Sequence, residues 1–345
     1  IFFFYYVLFI NVFLYTSVNA SSFTITDLEV SEPFELNFNK EKVIDKGFRE
    51  AFIQLISKIT TSGDRKKIKN TNLKTIKGLI DSFTMSNERF INNNYYVNFD
   101  VNFNKKNTLN FMEKKNIFPS IPKKKKLLLL PILVDLQQDK IALFNNNAFF
   151  DEWNKNIKKF HLLNYLLPNE DIEDLNLLSQ NSESIEDYNF KQTIEKYDLN
   201  DFIITIIYKN GGNLRILSKI QINQLNKIYN ISFKDVDLSN KESLNLIIDN
   251  LKTSYENYWK NINQINTSIK LPLTLFVNAK EHTKITELEN ALKTIDLVST
   301  YDVSRINNKK IFYKIIYNGS PNQFLNDLKN KNVIVISQNQ FWEVQ

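Results

Sequence analysis

The chain has 345 residues, of which 43% are hydrophobic and 24% charged, and it contains no cysteine. This length predicts two or three domains, and the composition excludes a disordered or collagen-like chain because apolar residues are plentiful while glycine and proline are few. The lack of cysteine excludes disulfides, thiolate zinc sites, iron–sulfur clusters and cysteine nucleophiles. The net charge of +6 comes mainly from lysine, which outnumbers arginine 39 to 5 as in the products of AT-rich genomes, so we expect no nucleic-acid partner.

The first 18 residues are almost wholly apolar and carry no charge. They end in Val18-Asn19-Ala20, which has small residues three and one positions before a cut, as signal peptidase requires. We therefore expect a signal peptide over residues 1–20, with a few residues upstream of Ile1 that supply its basic start. The alternative is an uncleaved anchor, because the run is just long enough to cross a bilayer. Cleavage would leave a protein without a membrane span in the periplasm of a bacterium with two membranes.

Residues 21–122 are predicted to form an α+β domain. Apolar residues recur at helical spacing in its first half, and strict alternation from Tyr95 to Phe103 is typical of a half-buried strand. The predicted elements are a strand at 23–30, helices at 39–60 and 72–82, strands at 86–91 and 95–103, and a short helix at 108–115.

Residues 123–266 are predicted to form an α/β domain. The continuous apolar run 127–134 is typical of a strand that is covered on both faces, and Asn210-Gly211 favours a tight hairpin turn. The predicted elements are strands at 127–134, 202–208, 214–222 and 227–233, helices at 148–160, 184–197 and 242–261, and an acidic loop at 166–183.

Residues 267–345 follow the order β-α-β-β-α-β of a ferredoxin-like domain. The predicted strands lie at 269–277, 297–304, 310–317 and 333–336, and the helices at 283–293 and 322–329. We expect one antiparallel sheet with both helices on one face, the strand near 297 at an edge, and free edges that serve for docking. The alternative is a self-contained domain that packs on the middle lobe. The whole chain is thus predicted to be α+β, in three small lobes with mainly antiparallel sheets.

Local signatures of catalysis are missing from the sequence. Neither a phosphate-binding glycine loop nor a G-x-S-x-G nucleophile turn occurs. The two histidines, His161 and His282, fall in different predicted lobes, whereas a metal site needs several converging ligands. We therefore expect no catalytic residue, no metal site and no cofactor.

An acidic stretch is the main exception to this expectation. Its members are Glu170, Asp171, Glu173 and Asp174, with Glu183, Glu186 and Asp187 nearby. Such oxygens could bind Ca²⁺ or supply the paired acids of a glycosidase, but the EF-hand pattern is missing, and acidic runs in loops are far more often solvated than functional.

The four lysines 123–126 form the one basic run. They could hold an anionic head group, or they could form a solvated linker that protects the apolar strand behind it from aggregation. The tryptophans Trp153, Trp259 and Trp342 are scattered, and we expect them at the edges of the core.

The first lobe resembles a bacterial family described as domain of unknown function 2066. Its helix contains the segment GFREAFIQLISKIT over residues 47–60, where the family has approximately A-R-x-x-A, then A-L, then L-x-R-L-T-G. Arg49 is the polar match, and Phe48 departs from the usual alanine. The family's aromatic strand ending in Phe-Asp is matched by residues 95–100.

The linker is similar to the same family in its prolines, Pro119 and Pro122, which precede an apolar strand, but it has Phe118 where tryptophan is expected. The middle lobe is similar in element order to periplasmic assembly modules such as the amino-terminal domain of the Tol-system propeller protein, which is an analogy of fold alone. The resemblance implies an exported envelope protein and carries over no catalytic residue.

Two hypotheses for function follow. The favoured one is a non-catalytic binding or assembly module of the cell envelope, with an envelope protein as its partner. The alternative is a hydrolase that acts on envelope glycans through carboxylates such as Glu170 or Asp174. An enzyme of this kind would place paired acids in a deep cleft and raise the pKa of one of them by burial.

Overall fold

The computed structural model describes residues 23–338 and 341–345, so the predicted signal peptide lies outside the described residues. The protein is α+β, with three separate sheets that are mainly antiparallel, as the sequence predicts. No helix in the described ranges is long and apolar enough to cross a membrane.

The first lobe is a three-stranded antiparallel sheet covered on one face by a long helix. Its elements are β1 (Thr24–Pro33), α1 (Lys40–Ile59), α2 (Ser62–Ile68), α3 (Leu73–Lys77), β2 (Ile80–Ile91), β3 (Asn94–Phe103) and α4 (Lys105–Glu113). The strand order is β1-β3-β2. Asn39 caps α1 by accepting the N–H of Glu41, and the buried side of α1 packs on the alternating residues of β3.

The predicted helix at 72–82 is wrong beyond Lys77. Only Leu73–Lys77 is helical, and the following strand, Ile80–Ile91, is twice as long as expected. Its pairing with β3 extends from Ile80, opposite Phe103, to Ile91, opposite Asn94. This long ladder is a non-local interaction, which overrides the helical spacing of the local sequence.

The middle lobe has a mixed sheet between two layers of helices. Its elements are β4 (Lys125–Asp135), β5 (Lys140–Ala142), α5 (Ala148–Glu152), β6 (Leu163–Leu166), α6 (Ile172–Gln180), α7 (Lys191–Glu195), β7 (Phe202–Asn210), β8 (Asn213–Ile222), β9 (Leu225–Phe233) and α8 (Lys241–Ile262). The order is β5-β4-β7-β8-β9, with β6 also beside β4. Strand β4 is parallel to β6 and β7, and the remaining pairs are antiparallel.

Helices cover both faces of β4, which explains its continuous apolar run. Alternate residues of β4 enter two different cores: one contains residues of α5 and α8, and the other contains Leu178 of α6 and the apolar residues around α7. Three predictions here are wrong. The helix expected at 148–160 is only Ala148–Glu152, and the loop expected at 166–183 contains the end of β6 and all of α6. The helix expected at 184–197 is reduced to Lys191–Glu195.

The third lobe confirms the β-α-β-β-α-β order and adds a fifth strand. Its elements are β10 (Leu271–Asn278), α9 (His282–Thr294), β11 (Val298–Ile306), β12 (Lys310–Tyr317), α10 (Pro321–Lys329), β13 (Val335–Gln338) and β14 (Phe341–Val344). The order is β11-β12-β10-β14-β13, so β11 is at an edge as expected. The expectation of a wholly antiparallel sheet is wrong, because β14 lies parallel beside β10 and displaces β13 to the outer edge.

The first and third lobes share one continuous apolar core. Lys105 of α4 donates to the carbonyl of Ile295 at 2.8 Å, and Lys270 pairs with Glu113 at 3.2 Å. The third lobe therefore packs on the first lobe and shares its core, whereas the alternative interpretation expected a self-contained domain that packs on the middle lobe. The two connections to the middle lobe run side by side, since Ser120 pairs with Gln264 in an isolated bridge.

Candidate functional site

The acidic stretch at the start of α6 holds the middle lobe together. Asp171 caps α6 by accepting the N–H of Glu173 at 2.8 Å, and the Lys196 ammonium donates to Asp171 at 2.7 Å and to Asp174 at 2.9 Å. The hydrogen bond from Lys196 holds the pKa of Asp171 below its usual range. Asp174 is fully buried and also accepts the hydroxyl of Thr193 at 3.0 Å. These carboxylates therefore join α6 to α7.

The acids farther along this stretch take no part in the ion pairs with Lys196. Glu186 pairs with Arg215 of β8 at 2.8 Å, and this bond lowers the pKa of Glu186. Glu183 and Asp187 are exposed. In the part of the chain that the structure describes, no group of three or more histidines and carboxylates could hold a metal ion.

A crevice of about 780 Å³ lies at the carboxyl ends of β4 and β7, where ligands bind in open α/β sheets. Glu170 and Asp171 line it, together with an ion pair between Asp135 of β4 and Lys209 of β7 at 2.8 Å. Lys209 holds the pKa of Asp135 below its usual range. Asp174 does not line this crevice. Because Lys196 and Lys209 lower the pKa of Asp171 and Asp135, neither acid has the raised pKa that a general acid needs.

The two histidines lie apart. His161 lies in the segment between α5 and β6. Burial and the nearby Lys252 and Lys158 lower the pKa of its imidazole to about 4. His282 is exposed at the start of α9. Among the residues described, neither histidine belongs to a group of three or more side chains that could bind a metal ion.

The structure divides the basic run and buries two of the three tryptophans. The run is divided, because Lys125 and Lys126 begin β4, and Lys125 pairs with Asp201. Trp153 and Trp259 are buried in the middle-lobe core rather than at its edge. Trp342 stacks on Phe324 of α10 with the ring centroids 5.7 Å apart.

A groove of about 670 Å³ crosses the face of the middle sheet that α6 and α7 leave uncovered. Its floor is formed by side chains of β7, β8 and β9 that share one row, Ile204, Lys219 and Ile228. Its wall is the segment around α7, which contributes Phe190 and Ile194. This volume suits a peptide side chain or a small ligand, and an apolar lining with a few polar groups is typical of binding sites.

Strand β9 forms the open border of this groove and the edge of its sheet. It pairs with β8 without interruption, from Leu225 opposite Ile222 to Phe233 opposite Leu214. Asn223 and Gln224 make the two-residue turn, both with positive φ, so Ile222 and Leu225 form a hydrogen-bonded pair. Every second residue of β9, starting with Asn226 and Ile228, therefore directs its N–H and C=O to the free edge.

The side chains of these same residues lie on the groove face. Ile228 is 63% exposed and stands beside Lys219, and Asn226 and Ile228 both line the groove. An extended peptide added to β9 would thus form main-chain hydrogen bonds along the edge and place alternate side chains over the groove. These two components are what strand addition requires.

The other edge strands of the described chain are interrupted or short. The register of β1 shifts between Ile25 and Leu28, and those of β2 and β11 shift as well. Strand β5 has three residues, and β6 and β13 have four each. Bulges and short length protect edges from pairing, so β9 is the long unprotected edge in the described residues.

The sequence predicts β9 as a strand at 227–233 but does not predict its position at an edge. Edge position depends on which strands pair, and the sequence of β9 contains no local signal for that. The polar residues Asn226, Asn230 and Ser232 indicate only that one face of the strand reaches water, which is also true of central strands in antiparallel sheets.

Comparisons with known proteins give no family for this chain. No family model matches it, and no curated protein matches it. A solved structure described as the crystal structure of an uncharacterized protein aligns with 40% of this chain and 91% of its own, at 6% identity and a TM-score of 0.16. A likeness at that level carries no argument about function.

Proposed function

We propose that the protein is an exported, non-catalytic binding module of the bacterial cell envelope that captures an extended peptide segment of a partner protein along β9. The observation that carries the binding role is the uninterrupted free edge of β9 beside the apolar groove. Export to the periplasm is supported by the apolar segment and small-residue motif of residues 1–20 and by the resemblance of the first lobe to domain of unknown function 2066.

The peptide that fits has apolar side chains at alternate positions. The position next to Ile228 on an added strand lies on the groove face, because side chains of neighbouring strands point to the same side of a sheet. Ile228 and, across the groove, the half-buried Ile194 offer apolar surface there, whereas Phe190 and Ile204 are buried at the base of the groove. In strand addition, main-chain hydrogen bonds usually provide the affinity, and one or two side chains provide the selectivity.

The hydrolase hypothesis receives less support from the geometry. Asp174, one of its two candidate acids, is buried and bonded to Lys196 and Thr193. Glu170 lines the crevice with Asp135 and Asp171, whose pKa values are lowered by lysines. A glycosidase needs one acid with a raised pKa opposite a second carboxylate.

Peptide selection tests the binding role. A displayed library of nine-residue peptides is selected on the purified protein, and the affinity of selected peptides is measured by fluorescence anisotropy. Asn230→Pro removes an N–H at the free edge, where proline is tolerated, and should weaken binding about 2- to 12-fold, the loss of roughly one hydrogen bond. Asn230→Ala keeps that N–H and is the matched control.

Equal affinity of a folded Asn230→Pro variant for the selected peptides would show that strand addition is wrong. Export is tested separately, by sequencing the amino terminus of protein recovered from the periplasm. We expect it to begin at Ser21, and a terminus at Ile1 or upstream would contradict cleavage.

A further inference from the structure

We infer that one end of the first lobe inserts into a lipid surface of zwitterionic character. Four apolar side chains stand out there, which we call the aromatic tip: Phe34, Leu36, Phe90 and Ile91. Their exposed fractions are 50%, 111%, 63% and 48%, so Leu36 has as much contact with water as in an extended chain. A contiguous exposed apolar patch of this kind marks an interaction surface.

The aromatic tip is built by two neighbouring loops that are tied together. The N–H of Phe34, just after β1, donates to the carbonyl of Asn93 in the turn between β2 and β3, at 2.7 Å. Asn92 and Asn93 both have positive φ, as a tight two-residue turn requires. The two loops therefore present their apolar side chains as one unit.

Aromatic packing supports the tip from below. The Phe34 ring lies 4.9 Å from the rings of Phe38 and Phe90, and these lie 5.1 and 5.2 Å from the ring of Tyr95. Tyr95 is buried in the core of the lobe. Since the inner rings already fill the space beneath the tip, Phe34 and Phe90 cannot turn inward to escape water.

The shape and size of the tip favour lipid over a protein partner. A stable protein interface uses about 20–30 residues on each side, whereas the tip offers four apolar side chains on a projecting loop and turn. A fluid bilayer surface adapts to a small projection, and aromatic side chains are favoured at the level of the head groups.

The charges around the tip favour a zwitterionic lipid over an anionic one. Lys40 pairs with Glu88 at 3.0 Å, and Lys46 pairs with Glu32 at 2.8 Å, so these lysines are already neutralised. Glu35 lies between the two apolar residues of the loop and adds a negative charge. Polybasic segments attract anionic lipids, and this tip lacks such an excess of positive charge.

Sedimentation with phosphatidylcholine vesicles tests the inference, using the protein purified from the envelope. A small apolar anchor of this size should give weak, reversible binding, with a partition constant on the order of 10³–10⁴ M⁻¹, as for a single acyl chain. The double variant Leu36→Ser/Phe90→Ser should bind at least about 10-fold less. Val303→Ser/Ile306→Ser on β11 removes two exposed apolar side chains elsewhere and should bind as the unmodified protein does.

Leu36→Ser alone keeps the test valid if the double variant fails to fold, since a fully exposed side chain contributes little to folding. It should weaken binding about threefold or more. Glu35→Lys should increase binding to vesicles that contain phosphatidylglycerol, while leaving binding to phosphatidylcholine within about twofold.

Three results would overturn the inference. They are the absence of binding to phosphatidylcholine, equal binding by the tip variants and the β11 control, and a dimer in sedimentation velocity that Leu36→Ser dissociates. The last result would assign the tip to a second copy of the chain. None of them bears on peptide capture, because β9 lies in the middle lobe and has its own variants.

Discussion

Glu256 provides the sharpest test of how the middle lobe is held together. Its side chain on α8 is 4% exposed, and its Oε1 accepts the N–H groups of Leu162 and Leu163 at 2.8 Å each. Its Oε2 has no hydrogen-bond partner among the described residues, and the Lys260 ammonium is 4.0 Å away. Burial raises the pKa of Glu256. We infer that Glu256 stabilises the fold chiefly as an acceptor for the backbone at the start of β6.

Two substitutions separate the acceptor from the charge. Glu256→Gln keeps the accepting oxygen and removes the buried charge, so it should change the free energy of unfolding by less than about 1 kcal/mol. Glu256→Ala leaves two buried N–H groups without an acceptor, at about 1–3 kcal/mol each. Together with the lost packing of the side chain, we expect Glu256→Ala to destabilise the protein by about 4 kcal/mol.

Urea unfolding followed by tryptophan fluorescence measures both variants, since Trp153 and Trp259 are buried in the same core as α8. The midpoint should move little for the glutamine variant and strongly for the alanine variant, with similar slopes. Equal destabilisation by the two substitutions would refute the reasoning, because the pairing of Glu256 with Lys260 would then outweigh its backbone hydrogen bonds.

Three further substitutions give predictions for the same assay. His161→Asn tests pH dependence: the folded-state pKa of about 4 lies below the unfolded value of 6.5, so the unfolded chain takes up the proton first and the unmodified protein loses stability as the pH falls from 6.5 to 4. Because His161 is only partly buried, this loss should be roughly 1–2 kcal/mol, and the variant should lose less stability than the unmodified protein over the same range. Gly47→Ala should destabilise by about 1–3 kcal/mol in spite of its better helix propensity, because the new Cβ would lie 2.9 Å from the Phe99 ring. As a control, Gly63→Ala in α2 would place its Cβ 4.0 Å from the Thr61 hydroxyl, an ordinary contact, and should be neutral or stabilising. Tyr255→Phe should destabilise by about 1–3 kcal/mol, because it removes two buried hydrogen bonds to hydroxyls of β7 and β8; a change below about 0.5 kcal/mol would show that these bonds contribute little.

Elements whose burial is set by their own sequence were predictable. The uninterrupted apolar run of β4 indicates cover on both faces, and the structure confirms two separate cores on its two sides. The hairpin predicted at Asn210-Gly211-Gly212 is likewise confirmed, but its two-residue turn is Gly211-Gly212, because Asn210 pairs with Asn213 as the last residue of β7 and Gly211 has the positive φ. In both cases the local pattern and the tertiary contacts favour the same conformation.

The prediction failed where charged residues begin a helix. The acidic composition of this segment predicted a solvated loop around Asp171, Glu173 and Asp174. However, acids are also favoured in the first turn of a helix, because they face its positive end. The apolar residues Leu175 and Leu178 follow at the spacing that packs α6 on the sheet. Lys196, which neutralises two of the acids, is 22 residues away from Asp174, and no local pattern reveals such a partner.

The shared core of the outer lobes changes which part of the chain is separable. Deleting residues 270–345 would expose apolar residues of the first lobe, because the two lobes contribute to one cluster, so loss of binding after that deletion could not be assigned to a docking surface. The middle lobe has cores of its own, and the connections that enter and leave it lie next to each other, where the N–H of Ile265 donates to the carbonyl of Pro119 at 2.7 Å. Neighbouring chain ends of this kind are typical of an inserted domain. Peptide capture by β9 and lipid contact by the aromatic tip therefore belong to two separately packed units, and each can be changed by surface substitutions without disturbing the core of the other.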